Sequence, residues 1–327
     1  MASSKPLMSL SLDLDNKWSY LRTYGNDDWK SFPSYLDIVV PRILEFFEER
    51  DIKITFYIVG KDAELEQNHK AIASLSAAGH EIGNHSFFHE PWLHLYSEEE
   101  FNEDLEKSEA AIRAVTGVQT TSFRGPGYSL TEMTLRVLKK RGYDFDATAF
   151  PNILNPLSRA YLFATTNLSK EEKQQRKALF GSFSDAFRPV KPYQWDLGDE
   201  TLLELPVTTM PLFKTPIHFS YLTYLGMFST GLARAYLATV IGMCKFSRTQ
   251  PSLLLHPLDF MGAEDDKDLA TFPGMRLPVS KKLELMSIFV DRLCRTFKPV
   301  TMSKHVAEIR GSQSLRSFEP VFAGQER

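Results

Sequence analysis

Short apolar runs that alternate with segments of helical period set the tightest limit on this chain. Residues 7–15 alternate apolar and polar side chains, with Leu10, Leu12 and Leu14 on one face, as a strand requires. Residues 35–51 then place Ile38, Val39, Ile43, Leu44, Phe46 and Phe47 near helical spacing, with Glu45, Glu48, Glu49 and Arg50 between them. Residues 53–59 are rich in β-branched and aromatic types and predict a second strand. A short helix over 69–78 stops at Gly79, and 80–84 is a third strand. Residues 97–116 predict a long helix that Ser97 and Glu100 cap as a box. Further strands are expected at 120–124, 143–150, 202–207, 251–256 and 299–303, and further helices at 131–141 and 279–297. Such repetition predicts a parallel sheet covered by helices, and at this length a closed or nearly closed barrel.

Nothing rich in Gly, Ser and Pro divides the 327 residues, so 1–310 is expected to form one domain, with a loose tail over 311–327. Two segments break the rhythm. Residues 151–200 carry a polar, Lys/Gln-rich run at 170–177 and read as an insertion. Residues 210–244 are apolar and aromatic. They read as a pair of buried or groove-lining helices, or as an interfacial surface or lipid pocket, and contain no run long enough for a confident transmembrane helix. With 38 basic and 41 acidic residues and no basic stripe, nucleic acid is excluded as the main partner. Cys244 and Cys294 are isolated and form neither a disulfide framework nor a zinc-ligand spacing. The sequence opens without an apolar signal region, so a cytoplasmic location is expected, with peripheral contact at the inner membrane surface through 210–244.

The chemistry-bearing residues gather at the C-terminal ends of the expected strands, where barrels build active sites. Asp13 and Asp15 are two apart on a strand, so both point the same way, and two like carboxylates repel unless a cation or a hydrogen bond separates them. His85 and His89 follow the third strand. If that segment turns helical, both imidazoles lie on one face and suit a borderline metal. Strand-end carboxylates and histidine pairs also occur without any metal. The combination of the two is what points to a metal hydrolase.

In order along the chain, the pattern Asp13-Leu14-Asp15, His85-Ser86-Phe87-Phe88-His89, Arg124-Gly125-Pro126-Gly127-Tyr128 and Leu254-Leu255-His256 resembles the polysaccharide deacetylase family, the NodB-homology group of carbohydrate esterase family four, in its Asp-x-Asp branch. The resemblance spans roughly residues 7–260. It implies a distorted (β/α)7 TIM-like barrel with the 151–200 insertion and a C-terminal helical extension. It also implies a hydrolase of carbon–nitrogen bonds in linear amides. By resemblance, Asp15, His85 and His89 hold a divalent metal, zinc first, with cobalt, nickel or manganese as alternatives. Asp13 is then the general base, Arg124 holds it, the Gly127 N–H helps stabilise the oxyanion, and His256 is the general acid. The family's fourth motif, an Asp followed by Trp that tunes the acid, has no clear match. Asp146, Asp196, Asp199 and Asp259 are candidates. The implied partner is an N-acylated sugar of a glycan, glycolipid or lipid-linked precursor. Alternatives are a deformylase or non-sugar amide hydrolase on the same fold, and a non-catalytic binding homologue.

Overall fold

A computed structural model of the chain describes residues 5–322 apart from 167, 176–182, 271, 273 and 313. The strands are β1 (Leu7–Asp13), β2 (Thr55–Ile58), β3 (Glu81–Asn84), β4 (Ser122–Phe123), β5 (Phe145–Asp146), β6 (Tyr193–Asp196), β7 (Thr201–Glu204), β8 (Ser252–Leu255), β9 (Lys298–Val300) and β10 (Ser317–Phe318). They form one sheet of order β10-β6-β7-β5-β4-β3-β2-β1-β8, with β9 also pairing β1. Only β6 and β7 pair antiparallel; the other described pairs are parallel. Between and after the strands run α1 (Lys17–Thr23), α2 (Leu36–Glu48), α3 (Gly60–Glu64), α4 (His69–Ala77), α5 (Glu98–Thr116), α6 (Glu132–Lys140), α7 (Asn155–Thr165), α8 (Lys170–Gln175), α9 (Phe219–Phe228), α10 (Thr230–Ser247), α11 (Val279–Thr296) and α12 (Met302–Ser312). The mostly parallel, helix-covered α/β architecture is the one the alternation predicts.

Strand β1 is buried on both faces, for different reasons. Met8, Leu10, Leu12 and Leu14 enter the large apolar core shared with α2, α9, α10 and α11. The opposite face carries Ser9, Ser11 and Asp13, and each meets a polar partner. Ser9 Oγ is 2.9 Å from His305 Nδ1, and Arg124 Nη1 donates to Ser11 Oγ at 2.9 Å and to Asp13 Oδ1 at 2.7 Å. A buried polar face is tolerable only when satisfied in this way. Helix α5 starts as expected. Ser97 Oγ accepts the Glu100 N–H, Glu100 Oε2 accepts the Ser97 N–H, and Gly117 ends the helix at φ 72°.

Several expectations need correction. The 151–200 segment is not wholly an insertion, because β6 joins the sheet inside it; residues 176–182, which include the end of the Lys/Gln-rich run, lie outside the described residues. The 311–327 tail is not uniformly loose. β10 pairs β6, and Phe318 packs edge-on against Tyr193 while Phe322 tilts over Trp195. Its positions 313 and 323–327 lie outside the described residues. The 210–244 segment does form two helices, α9 and the greater part of α10. Phe219, Leu222, Ala233, Leu237, Val240 and Ile241 are buried, while Leu212, Phe213, Phe228 and Leu232 face outward. Among the described residues no helix is long and apolar enough to cross a membrane. Both cysteines are free thiols.

Candidate active site

Asp13 closes β1. The Leu14 N–H donates to the Tyr57 carbonyl at 2.9 Å and the Leu14 side chain enters the core, so Asp15 returns to the side that Asp13 occupies. Tyr35 donates from its hydroxyl to the Asp15 carbonyl and pins that turn. His85 follows β3 directly. The segment up to His89 is a bend rather than the helical turn the spacing allowed. Ser86 and His89 take φ values of 61° and 51°, a left-handed conformation uncommon for such residues. Local polar groups hold it. Asp104 of α5 accepts the Phe87 N–H, Asn84 Oδ1 accepts the Ser86 N–H at 2.9 Å, and Ser86 Oγ accepts the His89 N–H at 3.1 Å. The two imidazole centroids end 5.0 Å apart.

Asp15, His85 and His89 each aim one ligand atom into a shared space, all within 4.8 Å of one another. Asp15 Oδ1 lies 3.0 Å from His89 Nε2 and 3.4 Å from His85 Nε2. Yet this buried oxygen has no well-formed hydrogen bond. On the His85 side the tautomer accounts for this. Its Nδ1 sits 2.6 Å from the Arg124 carbonyl, which can only accept, so Nδ1 carries the proton and Nε2 presents a lone pair. Lone pairs of a carboxylate and an imidazole that converge on one point fit a cation. The donor set therefore suits a divalent metal with open positions. Burial works against charge on Asp15, but His89 and His85 outweigh it and hold the carboxyl well below the usual range. Burial also works against protonating His85, and Asp13 and Asp15 outweigh it to raise that imidazole's pKa.

Asp13 stands beside this trio rather than in it. Its Oδ2 is 3.9 Å from His85 Nε2, and its Oδ1 takes the Arg124 guanidinium. Arg124 is fully buried. Nε donates to the Ala147 carbonyl at 2.9 Å, and the cation lies 4.4 Å from the centre of the Tyr57 ring. Just beyond it, the turn Pro126–Tyr128 holds Gly127 at φ 60°. Burial raises the Tyr128 hydroxyl pKa well above normal, with Asp13 the next cause, so this turn lies within electrostatic reach of the carboxylates.

His256 follows β8. Its Nδ1 is 3.3 Å from Ser220 Oγ, and its backbone N–H donates to Asp259 Oδ2 at 2.9 Å. His218 lies edge-on to it at 6.3 Å, and burial, then the His256 charge, pushes the His218 pKa down to about 3. Of the residues considered for tuning His256, Asp146 is engaged by Thr148 and Glu204, and Asp196 accepts the Gly198 N–H on the surface. Asp259 is the one that touches His256. Ser220, His218, Tyr35 and Asp104 carry no motif in the sequence; only their apolar or helical setting was visible.

Residues 27–145 match the family model of polysaccharide deacetylases. That stretch includes β2, β3, β4, the histidine pair and Arg124; Asp13, Asp15 and His256 lie outside it. The peptidoglycan deacetylase of Helicobacter pylori is 26% identical over 155 residues, 46% of this chain and 52% of that protein. The peptidoglycan-N-acetylglucosamine deacetylase of Bacillus cereus is 29% identical over 96 residues, 29% of this chain and 34% of that protein. The chain thus spans about half the length of the first of these relatives and about a third of the second. A solved structure from Mycobacterium smegmatis, named for the polysaccharide deacetylases, aligns with 100% of this chain and 97% of its own at a TM-score of 0.63 and 20% identity, which speaks for the fold. The stretch that matches the polysaccharide deacetylase model runs through the strands that carry the histidine pair and Arg124, and the whole chain shares its fold with the Mycobacterium smegmatis structure.

Proposed function

We propose that the chain is a metal-dependent hydrolase that removes an acyl group, most simply acetyl, from the nitrogen of an amino sugar. The observation that carries this reading is the convergence of Asp15, His85 and His89 on one point beside a carboxylate, Asp13, that is held by Arg124. A divalent ion on the trio supplies Lewis acidity at the acyl carbonyl and at the attacking water. Two imidazoles and one carboxylate favour zinc, with cobalt, nickel and manganese as alternatives. Asp13 takes the proton of the attacking water through Oδ2, since Arg124 occupies Oδ1. The Gly127 N–H serves as oxyanion donor, a role worth about 3 kcal/mol where one such donor has been removed. His256 gives its proton to the departing amine.

The names of the relatives support peptidoglycan-type N-acetyl sugars as the substrate class. A lipid-linked sugar at the cytoplasmic face of the inner membrane belongs to the same proposal. Its support is the outward-facing Leu212, Phe213, Phe228 and Leu232 around α9 and α10. Acetate release is measured from purified peptidoglycan, from N-acetylglucosamine oligomers and from a lipid-linked N-acetyl sugar, with zinc-loaded and chelator-stripped protein. Metal-dependent release that is lost in Asp13→Asn is expected. Zinc-loaded protein that releases acetate from none of the three overturns the reading. Liposome flotation tests the membrane contact: no binding, and no effect of Phe213→Ser or Phe228→Ser, removes it.

A further inference from the structure

We propose that Thr148, held by Asp146, positions the turn from Arg124 to Tyr128 so that the Gly127 N–H stands ready for the oxyanion. The inference rests on the deacylase reading, in which that N–H is the donor. Between β4 and β5 the backbone ladder ends where the Ala147 N–H donates to the Phe123 carbonyl at 2.9 Å. A side chain makes the next rung: the Gly125 N–H donates to Thr148 Oγ1 at 2.8 Å. The Thr148 hydroxyl has one proton and gives it to Asp146 Oδ1 at 2.7 Å, so toward Gly125 it can only accept. The Thr148 N–H donates to Asp146 Oδ2 at 3.1 Å, which fixes the hydroxyl's direction. Both residues are fully buried, so each of these bonds, once lost, would leave a polar group without a partner.

The amides of the turn then divide. Gly125 is bound to Thr148, Pro126 has no N–H, and Tyr128 and Ser129 donate to the Gly125 and Pro126 carbonyls, each at 3.1 Å. Gly127 alone has no acceptor among the described residues. The turn is also tied on both sides of it. Arg124 Nε donates to the Ala147 carbonyl at 2.9 Å, and the Tyr128 and Phe150 rings lie 4.6 Å apart. Residues 146–150 therefore grip the turn at Arg124, Gly125 and Tyr128, and the grip is close: a Cβ on Gly125 would stand 3.1 Å from Thr148 Cγ2. When the water oxygen bonds to the acyl carbon, the carbonyl π pair moves onto oxygen, and a donor fixed in advance meets that charge without rearrangement. Thr148 and Asp146 act through the turn and are positioning residues. Asp146 thus serves the oxyanion turn rather than His256.

The test uses the full zinc-loaded chain, an N-acetylglucosamine oligomer as substrate, and the methylphosphonamidate of a glucosamine oligomer as tetrahedral analogue. Thr148→Val, of nearly equal volume, is expected to lower kcat by about 10- to 100-fold with KM and zinc content unchanged. The Ki of the analogue should rise by the factor that kcat/KM loses. Thr148→Ser, which keeps the hydroxyl, restores most of both. Metal-dependent hydrolysis of 4-nitrophenyl acetate falls in parallel, because ester and amide pass through the same oxyanion. Amide hydrogen exchange on metal-free protein follows the grip itself: the Gly125 amide should exchange faster in Thr148→Val than in the native chain, and at the native rate in Thr148→Ser. Where Thr148→Val does not fold, Thr148→Ala carries the same comparison. An unchanged kcat in Thr148→Val, or a fallen kcat with an unchanged Ki, overturns the proposal. A native chain that releases no acetate overturns the deacylase reading, while equal Gly125 exchange in the native chain and Thr148→Val overturns the grip on its own evidence.

Discussion

Replacing Arg124 with Met keeps a long apolar stem in place and deletes a buried charge. The side chain is fully buried and donates to the Ala147 carbonyl, the Ser11 hydroxyl and Asp13 Oδ1. Arg124→Met leaves all three acceptors without their donor, and one of them, Asp13, carries a charge at 4% exposure. Removing one partner of a buried pair costs about 3–5 kcal/mol, because the survivor cannot be resolvated. At roughly 2–3 °C per kcal/mol for a chain of this size, the melting temperature should fall by about 6–15 °C. Met sulfur cannot replace the lost donors, so repacking recovers little of this.

The double variant Asp13→Asn/Arg124→Met separates charge from packing. With the orphaned carboxylate gone, it should be more stable than the sum of the single changes predicts, by about 1–3 kcal/mol of coupling. Denaturant melts followed by circular dichroism measure this on metal-free protein, since an ion bound only to the folded state would mask the difference. Single changes that add to within about 0.5 kcal/mol would refute the claim that Arg124 and Asp13 act as one buried unit.

Asp13→Asn and His256→Ala should each lower kcat by about 10²-fold or more while zinc content stays at the native level, whereas His85→Ala should lose the metal; mass spectrometry of the purified proteins and acetate assays distinguish the cases. Burial, then the charge of Asp146, raises the Glu204 pKa well above normal, so the folded chain holds a proton that the unfolded chain releases. That contribution to stability is complete below the ordinary carboxyl range and drains away as pH rises toward the folded pKa; Glu204→Gln should flatten the decline, and equal slopes for both proteins in urea melts between about pH 5 and 8 would contradict it. Gly125→Ala brings a Cβ to 2.4 Å from the Ser129 carbonyl oxygen, a backbone atom that cannot step aside. It should cost about 1–3 kcal/mol and disturb the Gly127 turn, measured as melting temperature and amide kcat.

Much of the site was legible because parallel strands put their C-terminal ends on one rim. Asp13, His85, Arg124 and His256 each end or follow such a strand, so short motifs far apart in sequence could be read together. The His85–His89 loop was not legible. Its left-handed residues are held by Asp104, which belongs to a helix whose sequence announces only its cap and period. β6 and β10 escaped for a related reason: two- and four-residue strands carry little pattern, and among the described residues β10 pairs with β6 alone. α1 is too short for periodicity and owes its start to Asn16, whose side chain also binds Ser34 and Asp62.

The site is built from two parts of the chain that meet across β1. The three residues that could hold a metal, Asp15, His85 and His89, come from the turn after β1 and the loop after β3, and Arg124 of the segment after β4 holds Asp13 beside them. His256 follows β8, and Ser220 of α9, within the apolar segment that no motif of the sequence covers, contacts its ring. That segment therefore reaches the site as well as the solvent: Ser220 in the first turn of α9 and His218 at its N-cap lie beside His256, while Phe228 at the end of α9 is exposed. On the proposed mechanism, a ligand that shifted α9 would move Ser220 with it and act on His256 without touching Asp15, His85 or His89. A substitution in α9 should accordingly alter amide turnover more than metal affinity, and one in the loop after β3 should do the reverse.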